Sequence, residues 1–95
     1  EAGMKFRHKP VEVDAFVFAK AADARAPDWF IDAVREEHIL IDRKLVVDHV
    51  EVYGCTIYGK MQRIHARVGD YIIRKPEGGM IAMSRREFER CYEPL

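Results

Sequence analysis

The chain has 95 residues, of which 48% are hydrophobic and 34% charged, a composition typical of a single globular domain and not of a disordered segment. Sixteen lysine and arginine residues balance sixteen aspartate and glutamate residues, so no net charge attracts the whole chain to nucleic acid or to an anionic membrane. Two cysteines allow at most one intramolecular disulfide, which excludes a scaffold built on disulfides.

The N-terminal region shows no signal that would direct the chain into or across a membrane. It lacks the basic and then apolar order of a signal peptide, and no apolar run approaches the ~18 residues of a membrane span. Glu1, Ala2 and Gly3 precede Met4, which resembles a natural start, so we expect residues 1–3 to be a remnant of protein expression. We expect residues 4–95 to form one domain in the cytoplasm.

The first half of the chain predicts one strand and one helix. Hydrophobic residues alternate with others over residues 11–18, which is the pattern of a strand. Residues 20–26 are alanine-rich and predict a connection or a weak helical turn. Asp28 is a suitable N-cap for an amphipathic helix over residues 29–38, which must be held by packing onto a sheet. The apolar positions of this helix at helical spacing are Phe30, Ile31, Ala33 and Val34.

Strand-forming residues then dominate up to residue 68. A polar turn is predicted at Asp42, Arg43 and Lys44. A second turn is predicted at Gly59 and Lys60, because glycine suits the first central position of a type II′ hairpin turn. The predicted strands of this region cover residues 39–41, 45–52, 53–58 and 61–68.

Gly69 and Asp70 predict the next turn. Glycine can adopt a positive φ, and an aspartate side chain can bond the backbone of its own turn. Short strands are predicted at residues 71–74 and 80–83, with a turn at residues 76–79 between them.

Ser84 begins a short C-terminal helix, since Glu87 stands three positions later in a Ser-x-x-Glu capping box. Phe88 is its main inward residue, with Cys91 or Tyr92 as the next. Five or six strands with antiparallel hairpins and two helices predict an α+β fold. We expect a bent antiparallel β-sheet or partly open barrel with one packed helix and a short C-terminal helix.

No group of residues in the sequence predicts catalysis or metal binding. Cys55 and Cys91 lack the local signature of an activated nucleophile and are interpreted as buried structural thiols. Asp48, His49 and Glu51 are interpreted as a solvated strand edge, because neighbouring strand residues face opposite sides. We therefore expect no enzyme activity, no metal and no cofactor. A small thiol- or histidine-dependent enzyme stays as an alternative, which requires one of the cysteines within hydrogen-bond reach of a histidine.

Basic residues are slightly in excess in the second half of the chain. Residues 51–95 carry eight basic and six acidic side chains, against eight and ten in residues 1–50. If alternate residues of one strand share a face, that strand presents a basic stripe next to tyrosines available for stacking, Tyr58 or Tyr71. The alternative is that these arginines pair with acidic residues on neighbouring strands. The predicted partner-binding face consists of Arg63, His65, Arg67, Tyr71 and Arg74.

Motifs at both ends of the chain resemble a family of small proteins from tailed bacteriophages and prophages, which we describe as PGDYG-like. Residues 4–16 are similar to its opening basic-aromatic-basic run with Lys-Pro and valines, residues 69–73 to its Gly-Asp-Tyr-Ile-Ile core, and residues 88–94 to its closing Phe-x-x-x-Tyr-Glu-Pro. Residues 83–85 depart from the usual Cys-Pro-acidic entry to the last helix, and residues 74–77 lengthen the turn after the core. The resemblance implies a phage or prophage product of unassigned function in a bacterial host cell, and it brings no catalytic residues.

The favoured function is a non-enzymatic binding module that acts on a host or phage protein, with anti-defence activity as one version. The alternative is a nucleic-acid-binding accessory protein that uses the face around Arg63, Arg67 and Arg74. A homodimer is a further expectation, because ribbons with exposed edges can pair across a two-fold axis. No membrane partner is expected.

Overall fold

The structure is a computed structural model, and it describes residues 11–20 and 26–94. The predicted expression remnant at residues 1–3 and most of the predicted connection at residues 20–26 lie outside the described residues. Along the chain, the elements are β1 (Asp14–Val17), α1 (Asp28–Arg35), β2 (Ile39–Val46), β3 (His49–Tyr58), β4 (Arg63–Arg67), β5 (Tyr71–Arg74), β6 (Met80–Met83) and α2 (Arg85–Cys91).

The strands form two antiparallel sheets of three strands each, with the orders β1-β5-β6 and β2-β3-β4. The predicted α+β class is confirmed, and the expected bent sheet is divided into two. The chain passes from one sheet to the other at Gly69, which has a φ of 102° as the sequence predicted for this turn. Hydrogen bonds of 2.8 Å from Gly69 N to Phe18 O and from Phe18 N to Asp70 O attach the turn to the end of β1.

The two sheets and α1 share one hydrophobic core. The ring of Phe16 packs edge-on against Phe30, with centroids 4.9 Å apart, and so fixes α1 on the β1-β5-β6 sheet. Each fully buried aliphatic or phenyl side chain contributes about 1.5–3 kcal/mol relative to its exposed state. The buried cluster consists of Phe18, Phe30, Ala33, Ile39, Ile41, Cys55, Ile57, Ala66 and Ile72.

Helix α1 differs at both ends from the predicted helix. Pro27 and not Asp28 occupies the N-cap position, and the Pro27 carbonyl accepts hydrogen bonds from the backbone of the first turn. The helix ends at Arg35, because Glu37 takes a positive φ of 66° and His38 N donates to Ala33 O at 2.8 Å. This 6→1 bond is a Schellman ending, which glycine usually provides and which the sequence therefore did not predict here.

Strand β2 runs through the segment where a polar turn was predicted. Asp42, Arg43 and Lys44 lie inside the strand, with a bulge in the β2-β3 pairing between Asp42 and Arg43. The chain reverses instead at Val47 and Asp48, and Val47 has a positive φ of 38°. The predicted turn is wrong because turn propensity favours polar residues, whereas the observed turn uses a valine.

The β3-β4 connection is also longer than the predicted two-residue turn. It spans residues 59–62, closed by a 2.8 Å hydrogen bond from Gly59 N to Gln62 O. Positive φ values occur at Gly69 and Gly78 among the described glycines and not at Gly59, so the predicted type II′ turn is wrong.

The last third of the chain matches its prediction closely. Strands β5 and β6 have the predicted bounds, and Ser84 caps α2 by accepting a 3.2 Å hydrogen bond from Glu87 N. In a full capping box the Glu87 carboxylate would also accept a hydrogen bond from Ser84 N. Here that carboxylate binds Arg90 instead, at 2.6 Å. Helix α2 is held by Phe88, whose ring stacks on Tyr71 with centroids 3.8 Å apart. Neither helix of the described chain is long and apolar enough to cross a membrane.

Candidate binding surfaces

Strand β4 presents one row of side chains to the core and another to the surface. Ile64 and Ala66 point inward, and Ala66 is buried. Arg63, His65 and Arg67 alternate with them and are exposed. We call the surface that includes these three residues the outer face. The outward residues on the paired strands include Leu40, Asp42, Thr56 and Tyr58, and Leu40 is an exposed hydrophobic residue.

The other two residues of the predicted partner-binding face lie on β5, in the second sheet. Side chains alternate between the two sides of a strand. Tyr71 and Arg74 are three positions apart, so they point to opposite sides of β5. Tyr71 is covered by Phe88, and Arg74 binds Asp14 at 3.0 Å. The predicted set of five residues is therefore divided, and pairing with an acid on a neighbouring strand holds for Arg74.

A tyrosine lies beneath one of the cations of the outer face. The guanidinium of Arg63 is 5.7 Å from the ring centroid of Tyr58, its partner on β3. The Tyr58 residue is 43% exposed, so part of its surface stays open to a ligand. This contact is a cation-π pair, which the sequence analysis did not predict.

Three polar residues of the outer face form a hydrogen-bonded chain across three strands. Thr56 Oγ1 donates to Asp42 Oδ2 at 2.9 Å and lies 3.1 Å from His65 Nδ1. Thr56 is only 4% exposed although it faces outward, because larger side chains surround it in the middle strand. A buried threonine with both hydrogen bonds made fixes the position of the histidine ring.

A groove of about 350 Å³ continues the outer face toward the β2-β3 turn. Its polar lining includes Lys20, Lys44 and Arg67 against one carboxylate, Glu51. Lys20 Nζ donates to Glu51 Oε1 at 2.6 Å, and this hydrogen bond holds the pKa of the Glu51 carboxyl below its usual value. Tyr53 also lines the groove, and its ring centroid lies 5.8 Å from Lys44 Nζ.

The β2-β3 hairpin extends beyond the third strand as a two-stranded ribbon, which we call the arm (residues 43–52). Strand β4 pairs with β3 only from Gly54 to Tyr58, so the arm has no third strand in the described chain. On β2, Leu45 continues the inward row of Ile39 and Ile41, and it pairs with Val50.

The arm exposes aliphatic side chains that a folded monomer normally buries. Leu45 is 79% exposed, Val50 61% and the turn residue Val47 89%. A β-branched residue at a positive φ is a backbone outlier that costs roughly 1–2 kcal/mol, and glycine or asparagine relieves it. The apolar side of the arm consists of Leu45, Val47 and Val50. At the base of the arm, Arg43 pairs with Val52, which is half-buried and packs against the core.

The two cysteines have different environments, and both are free. The prediction of buried thiols is right for Cys55 and wrong for Cys91, which is exposed. Burial raises the pKa of the Cys55 thiol to about 12, with a smaller contribution from the negative charges of Asp42 and Asp70. Within residues 11–20 and 26–94, no hydrogen bond joins a cysteine to a histidine; the Cys91 thiol donates to Glu87 at 3.9 Å.

Sequence reasoning found His65 but missed its two hydrogen-bonding partners. The sequence analysis placed Asp42 in a turn. In the structure Asp42 lies on β2 opposite Gly54, next to Thr56 on β3, and this position was not predicted. The available signal is the polarity of Asp42 and Thr56 between apolar neighbours, which marks outward positions of two strands.

Comparisons with known proteins find no counterpart for this chain. No family model, no curated protein and no solved structure matches it. The resemblance to phage proteins stays a prediction from the sequence, and what the chain binds is inferred from the outer face and the arm.

Proposed function

We propose that this chain is a non-enzymatic binding module that acts on another protein, in a bacterial host cell, through the apolar side of the arm. The observation that carries the proposal is the exposure of Leu45, Val47 and Val50 on a ribbon with no third strand. Contiguous apolar side chains on a protein surface are typical of interaction sites. The phage or prophage origin is supported by the terminal motifs alone.

The energetics of the arm favour binding over a purely structural role. A two-stranded ribbon is marginally stable in water, and its apolar side adds nothing to the core while it is exposed. Val47 also carries the cost of its positive φ, where glycine or asparagine would favour folding. Strained backbone positions cost free energy and are found mostly at functional sites, so the strain at Val47 points to a functional role for the turn.

The chemistry of the arm indicates the kind of surface that would bind it. Three exposed aliphatic side chains require an apolar groove on the partner, and Arg43 at the base of the arm favours an acidic group at the rim of that groove. The edge of β3 from His49 to Val52, which pairs with no third strand in the described chain, also permits pairing with an exposed strand of the partner. We therefore propose a partner protein with an apolar groove and an acidic rim.

Binding rather than catalysis is further supported by the state of the buried thiol. A pKa of about 12 keeps Cys55 protonated at neutral pH, and a protonated thiol is a poor nucleophile. The outer face carries a histidine and hydroxyl, but Thr56 is buried and engaged with Asp42, away from an incoming substrate.

The proposal is tested by affinity capture from a bacterial lysate, followed by a titration with the purified captured protein. Leu45→Thr/Val50→Thr keeps good strand formers but removes apolar contact area. We expect it to weaken the complex about tenfold or more, as loss of two buried aliphatic contacts implies. Val47→Gly should weaken the complex too, without lowering the free energy of unfolding, because glycine tolerates the positive φ.

The matched control is Met61→Thr, which removes a 95% exposed hydrophobic residue from the β3-β4 connection, away from the arm. It should bind as the wild type does. Equal binding by the arm variant, or equal loss in the control, would overturn the proposal. Sedimentation velocity of the purified chain adds a separate outcome: a dimer that the arm variant dissociates would identify a second copy as the occupant and overturn a foreign partner.

A further inference from the structure

The hydrogen-bonded chain on the outer face fixes which nitrogen of His65 is available to a ligand. A threonine hydroxyl has one hydrogen, and Thr56 donates it to the Asp42 carboxylate. The 3.1 Å contact to His65 therefore requires Nδ1-H of the ring to donate to Thr56 Oγ1. The other ring nitrogen, Nε2, is left at the surface of an exposed residue.

Two arginines flank this histidine at equal spacing on β4. Arg63 and Arg67 stand two residues on either side of His65, so neighbouring side chains of the row start about 6.8 Å apart. Neither arginine forms an ion pair with a carboxylate of residues 11–20 or 26–94. The nearby Asp70 carboxylate instead accepts a 3.0 Å hydrogen bond from the backbone N of Arg67.

The groove extends this row of positive charge. Arg67 lines both surfaces, and in the groove it joins Lys20 and Lys44. On the combined surface Lys20 and Glu51 neutralise each other. Arg63, Arg67 and Lys44 are the cations that form no ion pair with a carboxylate of the described residues, and they lie near the charges of Asp42 and Asp70. A chain with no net charge thus presents a locally basic strip, which favours an anionic ligand by charge complementarity.

Two half-exposed tyrosines beside the basic strip indicate which class of anionic ligand it binds. Tyr53 is 49% and Tyr58 43% exposed, and each lies under a cation of the strip. Cations that follow a backbone, interleaved with aromatic rings that can stack on bases, are the features of surfaces that bind single-stranded nucleic acid. A lipid surface or an acidic peptide would make no use of the rings as stacking platforms.

We propose that the outer face and its groove bind single-stranded nucleic acid, with Arg63 and Arg67 on the phosphate backbone, His65 Nε2 accepting a hydrogen bond from an N-H group of a base, and Tyr58 stacked on a base. Val52 and Val68 line the groove and also pack against the core, whereas none of the exposed arm residues Leu45, Val47 and Val50 lines it. Nucleic-acid binding at this site is therefore a function additional to the proposed protein binding, and each of the two can be tested independently of the other.

The test is fluorescence anisotropy with a labelled oligothymidylate of about 20 nucleotides. Titrations at about 50 mM and 200 mM salt give the dependence of affinity on salt. Each phosphate contact in a single strand contributes roughly 0.7 to the slope of log K against log salt. We expect Arg63→Gln/Arg67→Gln to weaken binding about tenfold or more and to flatten the slope by roughly 1.4.

A charge-matched control separates this site from a general loss of positive charge. Arg85→Gln/Arg86→Gln removes the same two charges from exposed positions of α2, which packs on the other sheet. It should keep the affinity and slope of the wild type. An equal loss in this control, or no binding of wild type at the lower salt concentration, would overturn the proposal.

Two further measurements address the role of the histidine and the class of ligand. Thr56→Val removes the hydroxyl that orients His65 and should weaken binding severalfold with the salt slope unchanged, while Thr56→Ser should restore it. Identical binding by Thr56→Val would overturn a positioning role for Thr56. Polyglutamate and anionic vesicles serve as competitors, and affinity for either that equals the affinity for the oligonucleotide would overturn the assignment to nucleic acid.

Discussion

Gly54 of β3 lies close to the backbone of β4. A Cβ atom at this position would lie well inside van der Waals contact of the Ala66 carbonyl oxygen, which is part of the β4 backbone and cannot rotate away. We predict that Gly54→Ala lowers the free energy of unfolding by about 2 kcal/mol, the usual cost of forcing an extra carbon into a packed site. Urea denaturation followed by circular dichroism measures the change.

Gly79 is the matched control for this substitution. It lies in the β5-β6 turn, where an added Cβ has no neighbour within 4 Å and the φ is not positive. Gly79→Ala should change the free energy of unfolding by less than about 0.5 kcal/mol. Similar losses in the two variants would contradict the close approach at Gly54.

Cys55 makes stability depend on pH in the alkaline range. Its pKa in the folded chain is about 12, against an ordinary value of 9.0, so the unfolded chain loses this proton first as the pH rises. Stability therefore falls from about pH 9 toward pH 12, because the unfolded state binds fewer protons than the folded state across that interval. Cys55→Ala should show a smaller fall in urea midpoint between pH 8 and pH 10.5 than wild type. Parallel pH profiles would contradict this contribution of Cys55.

At the scale of elements, residues 44–51 of the arm lie outside the core cluster and the side chains that pack against it. Its strands pair with each other, and its link to the rest of the described chain includes the exposed Lys20 to Glu51 ion pair, a type worth about 0–1 kcal/mol. Arg43 and Val52 are paired residues, so replacing residues 44–51 by Asn-Gly joins them by a two-residue turn. We predict that this shortened chain unfolds within about 1 kcal/mol of wild type.

Thermal and urea denaturation of the shortened chain measure this prediction. The control is a variant with Gly-Ser in place of residues 60–61, which lie in the exposed β3-β4 connection of the same sheet. It shows how much stability changes when any exposed connection of this sheet is altered. A loss of several kcal/mol on shortening would mean that the arm packs on the core, against its exposure in the structure.

The elements that the sequence predicts well are those with local boundaries. Strands β5 and β6 and helix α2 are bounded by Gly69, Gly78 and Ser84, whose backbone preferences act over two or three residues. The arm was missed because its turn uses Val47, and local propensity disfavours that choice. An error of this kind also conceals cross-strand contacts, so the link from Asp42 through Thr56 to His65 could not be predicted.

At the scale of the whole molecule, both sheets depend on the same core. Phe18, which directly follows β1, and Ile72 of β5 share one buried cluster with Ile39 and Ile57 of the other sheet, so neither sheet keeps its apolar face buried once the other unfolds. We predict a single cooperative transition. The fluorescence of Trp29, the one tryptophan, reports on α1 and the β1-β5-β6 sheet, while far-ultraviolet circular dichroism reports on all elements.

The two signals should have the same urea midpoint, and Phe18→Ala should lower both together by the equivalent of about 3–5 kcal/mol. Leu45→Ala on the arm is the control and should move neither, because its side chain is 79% exposed and lies outside the core cluster. If fluorescence changed at a lower urea concentration than circular dichroism, the sheets would unfold separately. A shared transition instead implies that partner binding at the arm and ligand binding at the outer face both draw on the stability of one cooperative unit.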